Sequence, residues 1–293
     1  MKQQQTIRII FPSSISLENI LDARREELEK NGFRVLTNRP RLDPAWPYSS
    51  ASIEDRSAEL INAVLDPEAG ILLCARGGWG ASDLLSRVPW AQMKNARPKI
   101  IIGFSDISAI HSAFYKHLGW KSIHGPMPLT NQWDEHPDGV GSLLQILRKE
   151  RISQAIALQP HSYNNKVEGP LFGGCLSVLT NLIGTGFLPD LKDHIVFFED
   201  IGEHPARITR FLNQWVLSKS LKGVKGIVLG DFGDLQMNNG AADLAKELRK
   251  RLEMPVFTSM DFGHQKRNVP LGIGAHAVIQ NQELTWKWGH GYA

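Results

Sequence analysis

Short apolar runs alternate with amphipathic segments through the first half of the chain. Ile7 to Phe11 predicts a buried strand, and Leu17, Ile20, Leu21 and Leu28 then fall on one face of a helix ending near Gly32. Phe33 to Leu36 predicts the next strand. Ser52 stands as the cap of a second helix, whose apolar face carries Ile53, Leu60, Ile61, Val64 and Leu65. Ile71-Leu72-Leu73 and Ile100-Ile101-Ile102 are unbroken triplets, as expected of parallel strands covered on both faces. This β-α-β alternation predicts an α/β fold: a parallel sheet with helices on both sides.

The second half reads differently. A polar, irregular stretch runs from Asn131 to Asn165, with one helix expected over Gly141 to Arg148 and a linker over Pro160 to Asn165. Strands are then expected over Ile195 to Phe198 and Ile227 to Leu229, helices over Leu176 to Ile183, Arg207 to Leu217 and Ala241 to Leu252, and strands at the end. The 293 residues exceed what one compact core usually holds, so two domains are expected, over 1–155 and 166–293.

Composition narrows the class. With 42% hydrophobic and 22% charged residues the chain is ordinary globular protein. The excess of 33 basic over 30 acidic residues is too small to imply a nucleic-acid partner. Two cysteines cannot build a disulfide framework or a four-ligand zinc site, and no histidine-glutamate metal motif occurs. No apolar stretch is long enough for a membrane span, and Met1 to Gln5 lead into a strand without a signal-peptide core. A cytoplasmic protein with reduced thiols and no metal or other cofactor is the expectation.

In open α/β sheets, reacting groups gather at the carboxyl ends of strands. Three segments meet that criterion. In Ile102-Gly103-Phe104-Ser105-Asp106 a strand ends and a helix follows. Such a turn lifts a serine hydroxyl above the sheet and points the next N–H, that of Asp106, at a developing oxyanion. The match to Gly-x-Ser-x-Gly is partial, because Ile107 replaces the second glycine, and the commoner role of such a serine is a helix cap. Ala75-Arg76-Gly77-Gly78-Trp79-Gly80 follows another strand; its glycines permit close backbone approach, and Gly78 N–H could supply a second oxyanion donor. Its spacing is that of neither a P-loop nor a dinucleotide fingerprint. Finally, Glu199, Asp200 and Glu203 follow Ile195 to Phe198, where an acid could orient a histidine.

A serine nucleophile needs a base. Among ten histidines, His264 follows the strand-like Pro255 to Thr258 and a glycine, and His124 is the second candidate. His194 precedes its strand, while His111 and His117 lie on the helix after Ser105 and read as packing residues. Cys175 also precedes a helix, but no histidine or acid close in sequence supports it as a nucleophile; Cys74 reads as core. The order Ser105, Glu199, His264 is the nucleophile–acid–base order of other α/β hydrolases.

At these residues the chain resembles the LD-carboxypeptidases, a family of serine peptidases. The blocks that carry the likeness are Ala75 to Ser82, Gly103 to Ile107, His124 to Met127, Leu171 to Ser177, and Phe198 to Pro205 with Arg207 and Arg210. A sixth comprises Asp261 to Gln265 and Pro270 to His276. The resemblance implies an N-terminal flavodoxin-like domain bearing Ser105 and a C-terminal β-rich domain bearing the acid and His264. The site would lie in the groove between them, in a homodimer, and Glu199 rather than Glu203 would be the acid. It also implies Gly78 and Asp106 as oxyanion donors and a murein tetrapeptide as substrate, cleaved between the L-centre of diaminopimelate and terminal D-alanine. Two positions depart from the family pattern: Cys175 replaces the usual asparagine and Trp79 a usual tyrosine. Within the same family, an immunity-type hydrolase of aminoacyl-adenylate conjugates is the rival reading; a catalytically silent binding protein is the other.

Overall fold

The computed structural model describes residues 4–14, 20–38, 48–159, 161, 163–233, 240–265 and 267–288. Leu17, assigned above to the first helix face, lies outside these residues, as do Met1 to Gln3 and two positions of the expected linker, Pro160 and Ser162.

Two sheets organise the described chain. The first has the order β11-β5-β4-β3-β1-β2, from strands β1 (Thr6–Ile10), β2 (Arg34–Thr37), β3 (Ile71–Cys74), β4 (Ile100–Gly103), β5 (Ser122–His124) and β11 (Leu271–Ile273). The five strands from the first half pair in parallel, and β11 is antiparallel to β5, with Leu271 opposite His124. The apolar triplets are buried as expected except for the partly exposed Ile100 at the start of β4, because helices cover the sheet: α1 (Leu21–Lys30), α2 (Ile53–Leu65) and α4 (Ser108–Leu118) contribute Leu28, Leu60, Val64, Ile110 and Phe114 to that core. Ser52 Oγ accepts from Asp55 N–H at 3.1 Å and caps α2. Leu65, expected on the apolar face, is half exposed instead, because it closes the last turn of the helix.

The second sheet has the order β10-β9-β8-β7-β12-β13-β6. Its parallel half is β7 (Val167–Cys175), β8 (Ile195–Glu199), β9 (Gly226–Leu229) and β10 (Val256–Thr258). Its antiparallel half is β12 (His276–Gln280), β13 (Glu283–Lys287) and β6 (Ser153–Ala157). Helices α7 (Leu176–Thr180), α8 (Pro205–Leu217) and α9 (Ala241–Arg249) stand where the apolar spacing puts them, and α7 and α9 stop short of the expected ends. The sheets exchange strands. β6 begins before residue 155 yet hydrogen-bonds β13, whereas β11 comes from the second half and closes the edge of the first sheet.

This topology brings the carboxyl end of β7, in the second sheet, against the start of α4, which follows β4 of the first. Gly174, at the end of β7, lies so close to the start of α4 that a Cβ there would come within 2.4 Å of Ser108 Oγ. Cys175 N–H donates to the same oxygen at 2.9 Å. No helix among the described residues is long and apolar enough to cross a membrane.

Candidate active site

Ser105 sits on a sharp turn between β4 and α4 with φ +62°, in the left-handed region that a residue with a Cβ rarely adopts. The strain has a visible support. Gly77 packs so tightly beneath the turn that a Cβ there would meet Ser105 Cβ at 2.9 Å and Oγ at 3.2 Å. Asp106 is buried, and its carboxylate accepts from Ser13 Oγ at 2.5 Å and Ala81 N–H at 2.8 Å. Burial pushes the Asp106 carboxyl up, and those two hydrogen bonds with the Arg56 charge oppose the shift. Its side chain thereby fastens the glycine turn to the turn at Ser105. Among the described residues, neither Gly78 N–H nor Asp106 N–H is donated to another group. Both remain available to an oxyanion.

Arg56 secures the same turn from below. It is buried and donates to the carbonyls of Ala51 at 3.1 Å, Pro12 at 2.9 Å and Gly80 at 2.7 Å. The sequence offered no local sign of this, because Arg56 occupies an ordinary polar position on an amphipathic helix. Ser13 escaped for the same reason: its partner is 93 positions away.

The acid and the histidine come from the second sheet. Glu199 ends β8 and is completely buried; its Oε2 lies 2.5 Å from His264 Nδ1. His264 sits on the turn after β10, against Phe104, the residue preceding Ser105, at 4.8 Å between ring centroids. Burial disfavours the imidazolium, but the Glu199 charge, its hydrogen bond and the charges of Asp200 and Asp231 outweigh it, so His264 is held above its ordinary value. Asp231, which follows β9, went unnoticed in the sequence; Gly263 (φ +135°) packs on it, with a would-be Cβ 2.8 Å from Asp231 Cβ. Ser105 Oγ makes no hydrogen bond with a described residue, so it has no closed link to His264, which packs on the preceding Phe104. Catalytic hydrogen bonds of this kind commonly tighten only when substrate fills the site.

The other candidates stand elsewhere. Glu203 pairs with Arg207 at 2.9 Å and does not reach His264. His124 is fully buried between the rings of Phe104 and Phe197, with neither nitrogen hydrogen-bonded and its pKa driven down by burial, so it is core. His111 donates Nε2–H to Gly103 O at 2.9 Å, and burial lowers its pKa to about 4. His117 stacks on Trp90, and His194 bonds Tyr115 Oη at 2.9 Å. Cys175 lies beside Glu199 in the β7–β8 register, and burial with the charges of Glu199 and Asp200 pushes its thiol well up. That is the opposite of what a nucleophilic thiol requires. Its Sγ lies 3.4 Å from Asp200 Oδ1 and from Ser177 Oγ. Trp79 is exposed beside the glycine turn. No cluster of metal-ligating side chains occurs among the described residues.

Comparison with known proteins gives the family. The pattern of the LD-carboxypeptidase N-terminal domain matches residues 7–125, and that of the LD-carboxypeptidase C-terminal domain matches residues 168–279. A murein tetrapeptide carboxypeptidase of Pseudomonas aeruginosa is 31% identical over 293 residues, covering 96% of this chain and 94% of its own. The solved muramoyltetrapeptide carboxypeptidase of Oxalobacter formigenes superposes with a TM-score of 0.87 at 28% identity, covering 97% of this chain and 99% of that one. The microcin C7 self-immunity protein of Escherichia coli is more distant, 24% identical over 303 residues, covering 92% of this chain and 87% of its own.

Proposed function

Because the chain belongs to the LD-carboxypeptidase family of serine peptidases, we propose that it removes the terminal D-alanine from murein tetrapeptides, at the L-centre of diaminopimelate. The observation that carries this reading is the 31% identity to a murein tetrapeptide carboxypeptidase along nearly the whole of both chains. The immunity protein, the model for the rival adenylate-conjugate reading, is less similar at 24%. A silent binding protein would have no use for a strained serine one residue from a ring that packs on a histidine bonded to a buried acid.

In the proposed mechanism Ser105 Oγ attacks the carbonyl carbon of the diaminopimelyl residue, and its proton passes to His264 Nε2. The buried Glu199 carboxylate accepts the Nδ1–H, fixes the tautomer and stabilises the imidazolium. The oxyanion is met by the N–H groups of Gly78 and Asp106. Collapse breaks the C–N bond, and His264 hands its proton to the departing D-alanine nitrogen. Water, deprotonated by His264, then cleaves the acyl-enzyme and restores Ser105. The division into residues 1–155 and 166–293 enters here only as an assignment of the serine to one half and the acid–histidine pair to the other. A homodimer and a cytoplasmic location belong to the same proposal. Its test is a comparison of kcat/KM for the tetrapeptide and for a peptidyl-adenylate. Preference for the tetrapeptide supports the reading, and hydrolysis of the adenylate alone replaces it with the immunity activity.

A further inference from the structure

His264 hangs from a turn that must be held against a serine on the other sheet. The turn is tied to its own sheet by Asp231 N–H to Phe262 O at 3.0 Å and by Ala157 N–H to Asp261 Oδ2 at 2.8 Å. It is closed on itself by Val269 N–H to Asp261 O at 2.9 Å. None of these bonds sets its distance from Ser105.

A glutamine supplies that link. Gln132 opens the short helix α5 (Gln132–Glu135) and is 7% exposed. Its Nε2 donates to the carbonyl of His264 and, at 3.3 Å, to that of Gly263. Its Oε1 accepts from Asn268 Nδ2 at 3.3 Å, on the far limb of the same turn. A primary amide is suited to this position because it offers two N–H donors and an acceptor at one tip. His136 adds a neighbouring bond, Nε2–H to Gln265 O at 2.9 Å. The helix in turn moves with the first sheet. Leu129 N–H donates to Ala75 O at 2.9 Å, Trp133 Nε1–H meets the Glu27 carboxylate at 3.1 Å, and Arg24 pairs with Asp134.

We propose that Gln132 is a positioning residue for the reaction: it clamps the backbone of the His264 turn to the sheet that carries Ser105. The inference rests on the Ser105–His264 reading above. With Nδ1 held by Glu199 and the main chain held by Gln132, the direction of Nε2 toward Ser105 is determined. A displacement of about 1 Å in such a pair costs on the order of 10²-fold in rate. Gln132 is buried with its amide used on both sides, so it does not touch substrate, and KM is not its parameter.

The test compares wild type with Gln132→Ala and the isosteric Gln132→Glu. The measurements are kcat, KM, Tm, the far-downfield proton resonance of the His264–Glu199 bond, and the rate at which a small fluorophosphonate labels Ser105. In both variants kcat and labelling rate fall together by about 10- to 100-fold, KM stays within about threefold, and the downfield proton persists. Glutamate restores nothing, because at neutral pH it turns an acceptor toward two carbonyls. A Gln132→Glu protein labelled at the wild-type rate overturns the proposal, since packing alone would then suffice. So does a loss that appears only with a lowered Tm and a vanished downfield proton. Labelling needs no peptide: a wild type that is labelled yet releases no D-alanine refutes the substrate reading and leaves this comparison intact.

Discussion

Replacing Glu199 by glutamine isolates what one buried charge contributes. The two side chains have nearly the same shape, and the amide oxygen can still accept from His264 Nδ1, so the contact at 2.5 Å survives while the negative charge is lost. In the proposed transition state that charge faces the imidazolium formed on His264, and a separation of about 4 Å between charge centres sets the scale. At an effective dielectric of about 20 the attraction is about 4 kcal/mol, equivalent to roughly 10³-fold in rate. Steady-state kinetics should therefore show kcat reduced by about 10²- to 10³-fold. The pH profile moves as well. His264 must be neutral to act as base, and Glu199 contributes to holding its pKa above the ordinary 6.5. Activity in wild type thus rises only as pH passes through that elevated value, and in Glu199→Gln the acid limb shifts to lower pH. Stability goes the other way. Glu199 is fully buried, its Oε1 has no hydrogen-bond partner, and burial raises its carboxyl above the ordinary range. A neutral isostere is therefore expected to melt at the wild-type temperature or above it. A variant with kcat within threefold of wild type, or with an unmoved acid limb, would refute the assignment of Glu199 as the partner of the base.

Ser105→Gly abolishes turnover but relieves the left-handed backbone of the turn by about 1–2 kcal/mol, so calorimetry should show a raised Tm. Cys74 and Cys175 are both free, buried and shifted upward, so neither is carbamidomethylated by iodoacetamide at pH 8 in the folded protein, and mass spectrometry should find both modified only after denaturation. Glu59, half-buried and accepting from Phe11 N–H at 2.8 Å, has its carboxyl raised by desolvation to about 7 from 4.5. Between those values the folded state binds more proton than the unfolded one, so this group costs stability increasingly as pH rises through the window. Glu59→Gln should raise Tm at pH 8 and change it little at pH 4.

The parts of the molecule legible in sequence are those with a local cause. Apolar triplets announced β3 and β4 because a parallel strand is buried on both faces, and the spacing of Leu60 and Val64 announced α2 because one face is buried. The turn at Ser105 and the acid at Glu199 were visible as polar residues ending apolar strands. Glu199 could not be separated from Glu203 by spacing, since that choice depends on which carboxylate meets a histidine 65 positions away. Gln132, Arg56, Ser13 and Asp231 left no trace for the same reason. Each is an ordinary polar residue until the two sheets meet, and its role is made by partners distant in sequence. The exchange of β6 and β11 between sheets was equally hidden, because strands of three to five residues carry too little periodicity to say which sheet they join.

Release of D-alanine from L-alanyl-γ-D-glutamyl-meso-diaminopimelyl-D-alanine by purified wild type and Ser105→Ala tests the central claim most directly. Wild type is expected to release stoichiometric D-alanine, and the variant none above background. Equal release by both, or release by neither, would contradict it.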